Sequence, residues 1–237
     1  KPDVVIGTGG YITLAVGRAA IKQNVSLVIH ESNAFPGMAV KLLSKKASRV
    51  FVGFEDTKTR LKNKNNIIVT GTPTSVKPRN VSNEEKKKLK LSLGLNQDKP
   101  LVLFFGGSQG ARSINNTLQD LLKEKKNDIY QIMWAVGINQ YDDVKLDLEQ
   151  FGISVNNVKN AKIVPYIYNM DEVMNASDLV VCRSGAMTIT EVSILGKPAI
   201  FIPYPYATEN QQEFNARVLE SRDAAKIILD KGLNSGI

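Results

Sequence analysis

The chain has 237 residues, 43% of them hydrophobic and 23% charged, which is the balance of an ordinary soluble globular protein. No apolar run approaches the ~20 residues needed to span a bilayer as a helix, and no signal-peptide pattern opens the sequence. The net charge is +8 with a pI near 9.4, yet zinc spacings, RNA-binding aromatic signatures and helix-turn-helix patterns are all missing, so nucleic acid ranks low as a partner. Anionic substrates or an anionic membrane surface remain, or simply a lysine-rich composition, since much of the excess lies in runs such as "EEKKKLK" that read as solvated helix faces.

In chain order, short apolar segments alternate with amphipathic ones. "DVVI" (3–6) reads as a buried strand, "GTGGY" (7–11) as a loop, and residues 11–23 as a helix. "SLVIH" (26–30) is a strand followed by the polar loop "ESNAF" and a helix opened by Pro36 and running to about Lys46. "RVFVGF" (49–54) and "NIIVTG" (66–71) are further strands. The stretch 71–85 carries two prolines and no periodicity and reads as a hinge, followed by a lysine-rich helix over about 83–93. A second series then runs through strands at 100–105, 131–136, 162–165, 178–182, 198–203 and 225–229. Its helices lie at about 111–125, 141–150, 168–175, 186–195 and 209–221. This alternation predicts two parallel-sheet α/β units, the first incomplete. The chain begins Lys1-Pro2-Asp3 and enters a strand at once, which reads as a fragment of a longer protein.

In open parallel sheets, ligands sit beyond the carboxyl ends of the strands, so the residues after each strand carry the functional reading. "GGSQG" (106–110) lets backbone approach an anion, and the helix it opens offers unpaired N–H groups and a favourable dipole. Ser108 adds a hydroxyl. The alternative is a plain tight turn. "GTGGY" repeats this logic, so two anionic groups facing one another across a cleft are expected. After strand 178–182, "RSG" leads into a helix near Ala186, with Thr188 in its first turn where hydroxyl and N–H groups can hold a phosphate. Glu191 would repel that phosphate and suits a ribose diol instead, or serves as a helix-dipole partner.

Ile167, in "VPYIYNM" (164–170), can offer only its backbone, to a base edge. Gln211 and Gln212 both donate and accept, which suits sugar hydroxyls, or they are solvated residues of a helix start. His30, the only histidine, sits in "HESN" as a general base or as a structural strand-end residue. Cys182 reads as a small buried strand residue; a single cysteine excludes an internal disulfide and points to a reducing compartment.

"VVIGTGGY", "HESNAFPG", "GGSQGARSIN", "VPYIYNM" and "VCRSGAMTITEVSILGKPAIFIPYP…NQQEFNAR", in this order and across almost the whole chain, closely resemble the MurG family of peptidoglycan N-acetylglucosaminyltransferases. The resemblance implies a GT-B fold, two Rossmann-like domains facing across a cleft. It divides the chain into a partial acceptor-side domain (1–72), a hinge with its lysine-rich helix (73–99) and a UDP-sugar-binding domain (100–237). It implies inverting, metal-independent transfer of GlcNAc from UDP-GlcNAc to the 4-hydroxyl of the muramoyl sugar of lipid I, with no cofactor. The site would be the cytoplasmic face of the bacterial membrane, held peripherally on anionic lipid.

By motif position, Ser108 would contact the donor phosphates, the Ile167 backbone the uracil, and Ala186, Met187, Thr188, Ile189 and Thr190 the nucleotide. Glu191 would hold the ribose, Gln212 with Gln211 the sugar hydroxyls, and Asn33 the sugar from the other domain. Gly7, Thr8, Gly9 and Gly10 would lie toward the acceptor diphosphate. Two departures stand out. The family's upstream glycine-rich loop, ending in a histidine implicated in catalysis, has no counterpart after Lys1. Its hinge motif Gly-Asn-Pro-x-Arg reads Gly71-Thr72-Pro73-Thr74-Ser75, with serine in place of arginine. UDP-sugar 2-epimerases share the expected fold and give the competing reading, with a non-catalytic nucleotide-sugar-binding module as a third.

Overall fold

A computed structural model describes residues 2–62 and 64–234. The first sheet contains β1 (Val4–Gly7), β2 (Ser26–Glu31), β3 (Arg49–Val52) and β4 (Ile67–Val69), all parallel and in that spatial order. Helices α1 (Gly10–Lys22), α2 (Met38–Leu43) and α3 (Glu55–Arg60) connect them. Alternate residues of β2 and β3, Leu27, Ile29, Val50 and Val52, point into one core with Val40 and Leu43 of α2. On the edge strand β1, Val4 and Ile6 are exposed.

The second sheet contains β5 (Leu101–Phe105), β6 (Gln131–Ala135), β7 (Ala161–Val164), β8 (Leu179–Cys182), β9 (Ala199–Phe201) and β10 (Lys226–Ile227). All pairs are parallel, in the order β10-β9-β8-β5-β6-β7. Its helices are α4 (Asn83–Ser92), α5 (Arg112–Lys123), α6 (Tyr141–Gln150), α7 (Met170–Ala176), α8 (Ala186–Ile194) and α9 (Gln211–Glu220). Both faces are covered, as the alternation in each strand shows. Leu101, Leu103 and Phe105 enter one core with Cys182, whereas Val102 and Phe104 pack toward the other, around Trp134. Continuous apolar strands arise from that double burial. This is the α/β, GT-B-type arrangement of Rossmann-like sheets expected from the sequence.

Strand order reverses at β5: the chain winds outward to β6 and β7, then returns to place β8 on the other side. The loops leaving β5 and β8 therefore diverge and open a crevice at their carboxyl ends.

The lysine-rich α4 is anchored to this second unit. Lys90 Nζ lies 2.9 Å from Asp178 Oδ2 and donates to the Lys99 carbonyl at 2.8 Å, and Lys86 pairs with the other Asp178 oxygen. Asp178 also accepts the Leu101 N–H at 2.7 Å, and these partners hold its carboxyl below the usual range against the opposing effect of burial.

The structure departs from the expectations at several ends. α2 stops at Leu43 rather than near Lys46, and β10 has two residues rather than five. α3 was not expected: its six residues, Glu55 to Arg60, carry no apolar period. It forms with acids in its first turn and bases in its last, matching the helix dipole, and Thr57 Oγ1 donates to the Asn33 carbonyl at 2.9 Å.

Candidate functional site

The loop after β5 is shaped by glycine. Gly107 and Gly110 have φ of +92° and +76°, and the Gly110 N–H closes a turn on the Gly107 carbonyl at 3.0 Å. A Cβ on Gly110 would lie 2.1 Å from the Val136 carbonyl oxygen, so the loop packs backbone to backbone against the end of β6. Asn115 holds that contact from below: its Nδ2 donates to the Val136 carbonyl at 2.9 Å, and its Oδ1 accepts the Trp134 indole N–H at 3.0 Å. Asn139 and Gln140 pull Gln109 toward themselves, at 2.6 and 2.9 Å.

α5 then starts at Arg112 with no side-chain cap on its first turn. α8 starts at Ala186 behind Gly185, again with no side-chain cap. The unpaired N–H groups of two helices thus face one cleft of about 540 Å³, lined by Gly106, Gly107, Arg112, Gly185, Thr188 and Gln212 among others. Two uncapped helix N-termini lining one cavity offer it backbone N–H groups, which can hold an anion.

Arg183 supplies charge at the cleft wall. It is mostly buried, its guanidinium donating to the carbonyls of Ile202 and Pro203 at 3.1 Å each, to Ser113 Oγ at 2.9 Å and to Asp230. Neither Arg183 nor Asp230 was assigned a role from the sequence. Their partners lie 47 and 70 residues apart in the chain, and no local pattern marks such pairs.

The structure brings several of the expected residues together. Ser108 is exposed at the loop tip, between Gly107 and Gln109, which line the cleft. Thr188 lines the cleft, and Met187 is 44% exposed beside it. Ala186 accepts the Thr190 hydroxyl at 2.8 Å, so that hydroxyl is used within the helix. Ile189 and Ile167 bury their side chains in the core, which leaves only their backbones for a ligand. Glu191 lies one turn beyond Thr188 and lines a second, smaller cavity of about 270 Å³ with Tyr168, Asp171 and Ser75. Burial pushes its carboxyl above the usual range, and the nearby charge of Asp171 adds to the shift.

Gln212 Oε1 accepts the Tyr204 N–H at 3.0 Å, while Gln211 Nε2 reaches the Phe35 carbonyl at 3.3 Å across the two units. Asn33 is also an inter-unit residue: its Oδ1 accepts from Asn215 at 3.0 Å and its Nδ2 donates to Glu31 at 3.1 Å. Asn215, fully buried, was missed by the sequence reading; it accepts the Ala34 N–H at 2.8 Å and touches the Ser184 carbonyl at 3.3 Å. His30 is held structurally, Nε2 3.1 Å from the Gly71 carbonyl and Nδ1 3.3 Å from Ser32 Oγ. Cys182 is fully buried, and that burial pushes its thiol up, out of reactive range.

In the first unit, Gly7 ends β1, and Gly9 and Gly10 take φ of +97° and +78°. α1 begins there without a side-chain cap at Gly9, and Thr13 Oγ1 donates to the Gly9 carbonyl. Thr8 belongs to the same turn. The two glycine loops share one design, an uncapped helix N-terminus at the carboxyl end of a parallel strand.

A transferase of Desulforamulus reducens, named UDP-N-acetylglucosamine–N-acetylmuramyl-(pentapeptide) pyrophosphoryl-undecaprenol N-acetylglucosamine transferase, is 46% identical over 234 residues, which is 98% of this chain and 62% of the relative. One of the same name from Ruminiclostridium cellulolyticum is 42% identical over all of this chain and 64% of its own length. The chain thus spans less than two thirds of the relatives it matches. The crystal structure of Acinetobacter baumannii MurG superposes with a TM-score of 0.77 at 28% identity, over 99% of this chain and 62% of that one. UDP-GlcNAc 2-epimerase of Neisseria meningitidis shares the fold at a TM-score of 0.61, with 16% identity over 99% of this chain and 66% of that one. The sequence model of the glycosyltransferase family 28 N-terminal domain matches residues 1–52 and that of the C-terminal domain residues 101–236. With the N-terminal and C-terminal domain models matched in order, the chain belongs to glycosyltransferase family 28.

Proposed function

We propose that this chain carries the donor site and part of the acceptor side of an inverting transferase that moves GlcNAc from UDP-GlcNAc to the muramoyl 4-hydroxyl of lipid I. The observation that carries the reading is the convergence of the uncapped starts of α5 and α8 on one cleft. The donor diphosphate lies there, on backbone N–H groups near 107–112 and 185–188. The nucleoside extends along α8 to Glu191, with the Ile167 backbone on its base. The sugar points toward Gln211, Gln212 and Asn33. The loop Gly7 to Gly10 faces the acceptor diphosphate.

The chemistry follows from charge. As the bond to the anomeric carbon breaks, negative charge grows on the departing UDP. The N–H donors fixed at the two helix starts, with the Thr188 hydroxyl lining the same cleft, stabilise that charge. The acceptor hydroxyl attacks from the opposite face and inverts the centre, giving up its proton to a base. His30 is tied to Gly71 and Ser32 and is a poor candidate for that base.

Among the described residues no helix is long and apolar enough to cross a membrane. A basic groove near α1 and α2 suits peripheral contact instead: Arg18, Lys22 and Lys46 surround Ile21, Leu42 and Leu43. Cations around an apolar floor match anionic headgroups above acyl chains.

The full gene product, incubated with UDP-GlcNAc and a lipid I analogue, is expected to release UDP only when the acceptor is present. UDP-ManNAc formed without acceptor would replace this reading with the epimerase one.

A further inference from the structure

Two cavities meet beneath the hinge segment. One, of about 270 Å³, is lined by Glu191, Tyr168 and Met170, and the other, of about 280 Å³, by Asn175 and Leu195. Ser75, Val76 and Asp171 form the wall they share. Among the described residues, neither Asp171 nor Glu191 makes a side-chain hydrogen bond or ion pair, although both carboxylates line the first cavity. Asn175 is only 3% exposed, and its Oδ1 has no partner. Its neighbour Glu172, by contrast, accepts from Asn169 at 2.7 Å.

The Asp171 and Glu191 carboxylates and Asn175 Oδ1 are thus unused acceptors, beside the Ser75 and Tyr168 hydroxyls, which can donate or accept. An anion is repelled by two carboxylates. A neutral group rich in O–H and N–H donors satisfies them, and a buried acceptor left unpaired carries a real cost. Lys77 and Arg79 border only the second cavity, at its outer wall, and Arg79 is paired with Glu85. The two sites lie one turn apart on α8, where Thr188 lines the cleft of the 106–110 loop and Glu191 lines this cavity.

We infer that Asp171 is a second specificity-determining carboxylate, which with Glu191 accepts hydrogen bonds from the hydroxyl and imide donors of a neutral nucleoside. The inference rests on the nucleotide-sugar reading and adds to it.

Calorimetry with UDP and with inorganic pyrophosphate tests this, on the protein and on its Asp171→Asn, Asp171→Ala and Glu191→Gln variants. Asp171→Asn is expected to weaken UDP about tenfold, the loss of one charged hydrogen bond, and to leave pyrophosphate unchanged. The pH dependence supplies a second readout. UDP affinity of the unsubstituted protein falls on the acid side as Glu191 takes up a proton. Removing the neighbouring charge of Asp171 moves that fall to lower pH. Equal UDP affinity with an unmoved acid edge overturns the role of Asp171. Tighter UDP binding overturns it too, since Asp171 would then only repel the anion. Equal loss of UDP and pyrophosphate points to a structural effect and also overturns it. Failure of the unsubstituted protein to bind UDP removes the nucleotide reading itself.

Discussion

Glu191 shows how function and stability pull apart at one side chain. Its half-buried carboxyl sits beside Asp171, and both burial and that neighbour raise its pKa. A carboxyl whose folded pKa lies above its unfolded value favours the folded state below that range and loses this contribution as pH rises through the folded pKa. Glu191→Gln is therefore expected to be more stable than the unsubstituted protein at pH 7–8, by chemical denaturation, with the difference vanishing in acid. The same position is expected to hold the ribose. Glu191→Ala should weaken UDP binding by about 1–3 kcal/mol in calorimetry, and unchanged affinity would remove Glu191 from the site. The sequence showed the carboxylate and its place in the first turns of a helix. It did not show Asp171 beside it, because the two come from different helices and meet at one cavity rather than in any shared motif.

Among the elements, the loop between β5 and α5 bears the greatest steric demand. Gly110→Ala would put a Cβ 2.1 Å from the Val136 carbonyl oxygen in a left-handed backbone. Gly107→Ala has the same backbone sign but meets nothing within 4 Å. Strain alone costs roughly 1–3 kcal/mol. Gly110→Ala is thus expected to lose clearly more stability than Gly107→Ala in a denaturant titration, and to lose nucleotide binding with it; equal losses would contradict the backbone-packing account. These glycines were legible as a loop because three in five residues follow an apolar run. Strands such as 101–105 were legible for the same reason, being apolar runs with sharp polar ends. α3 was invisible: Glu-Asp-Thr-Lys-Thr-Arg has no apolar face to count, and its helix depends on end charges and on Thr57 reaching Asn33.

Across the whole molecule, the two sheets are joined by residues far apart in sequence. Asn215 bonds Ala34 and Asn33 in the first unit and donates to the Ser184 carbonyl, in the loop that leads into α8, in the second. Phe35 stacks on Phe214 with centroids 4.6 Å apart, and Lys41 pairs with Glu209 at 3.1 Å. Arg222, exposed, pairs with the half-buried Asp56 at 3.2 Å. Exposed pairs contribute at most about 1 kcal/mol, whereas a buried amide whose partners are left unsatisfied costs more. Asn215→Ala is expected to destabilise the protein by roughly 2–4 kcal/mol, and Arg222→Ala by less than about 1 kcal/mol, both read from denaturation midpoints. Such a bridge could not be read from the sequence, where Asn215 is one polar residue in a helix and its partners lie 31 to 182 residues away.

The central claim is that backbone amides at the start of two helices, on either side of the strand-order reversal, hold a uridine diphosphate. Crystals of the protein soaked with saturating UDP test it most directly. The expected density places both phosphates within hydrogen-bond reach of the 107–112 and 185–188 amides, with the ribose against Glu191. Nucleotide bound elsewhere, or an empty cleft at saturation, would contradict the account.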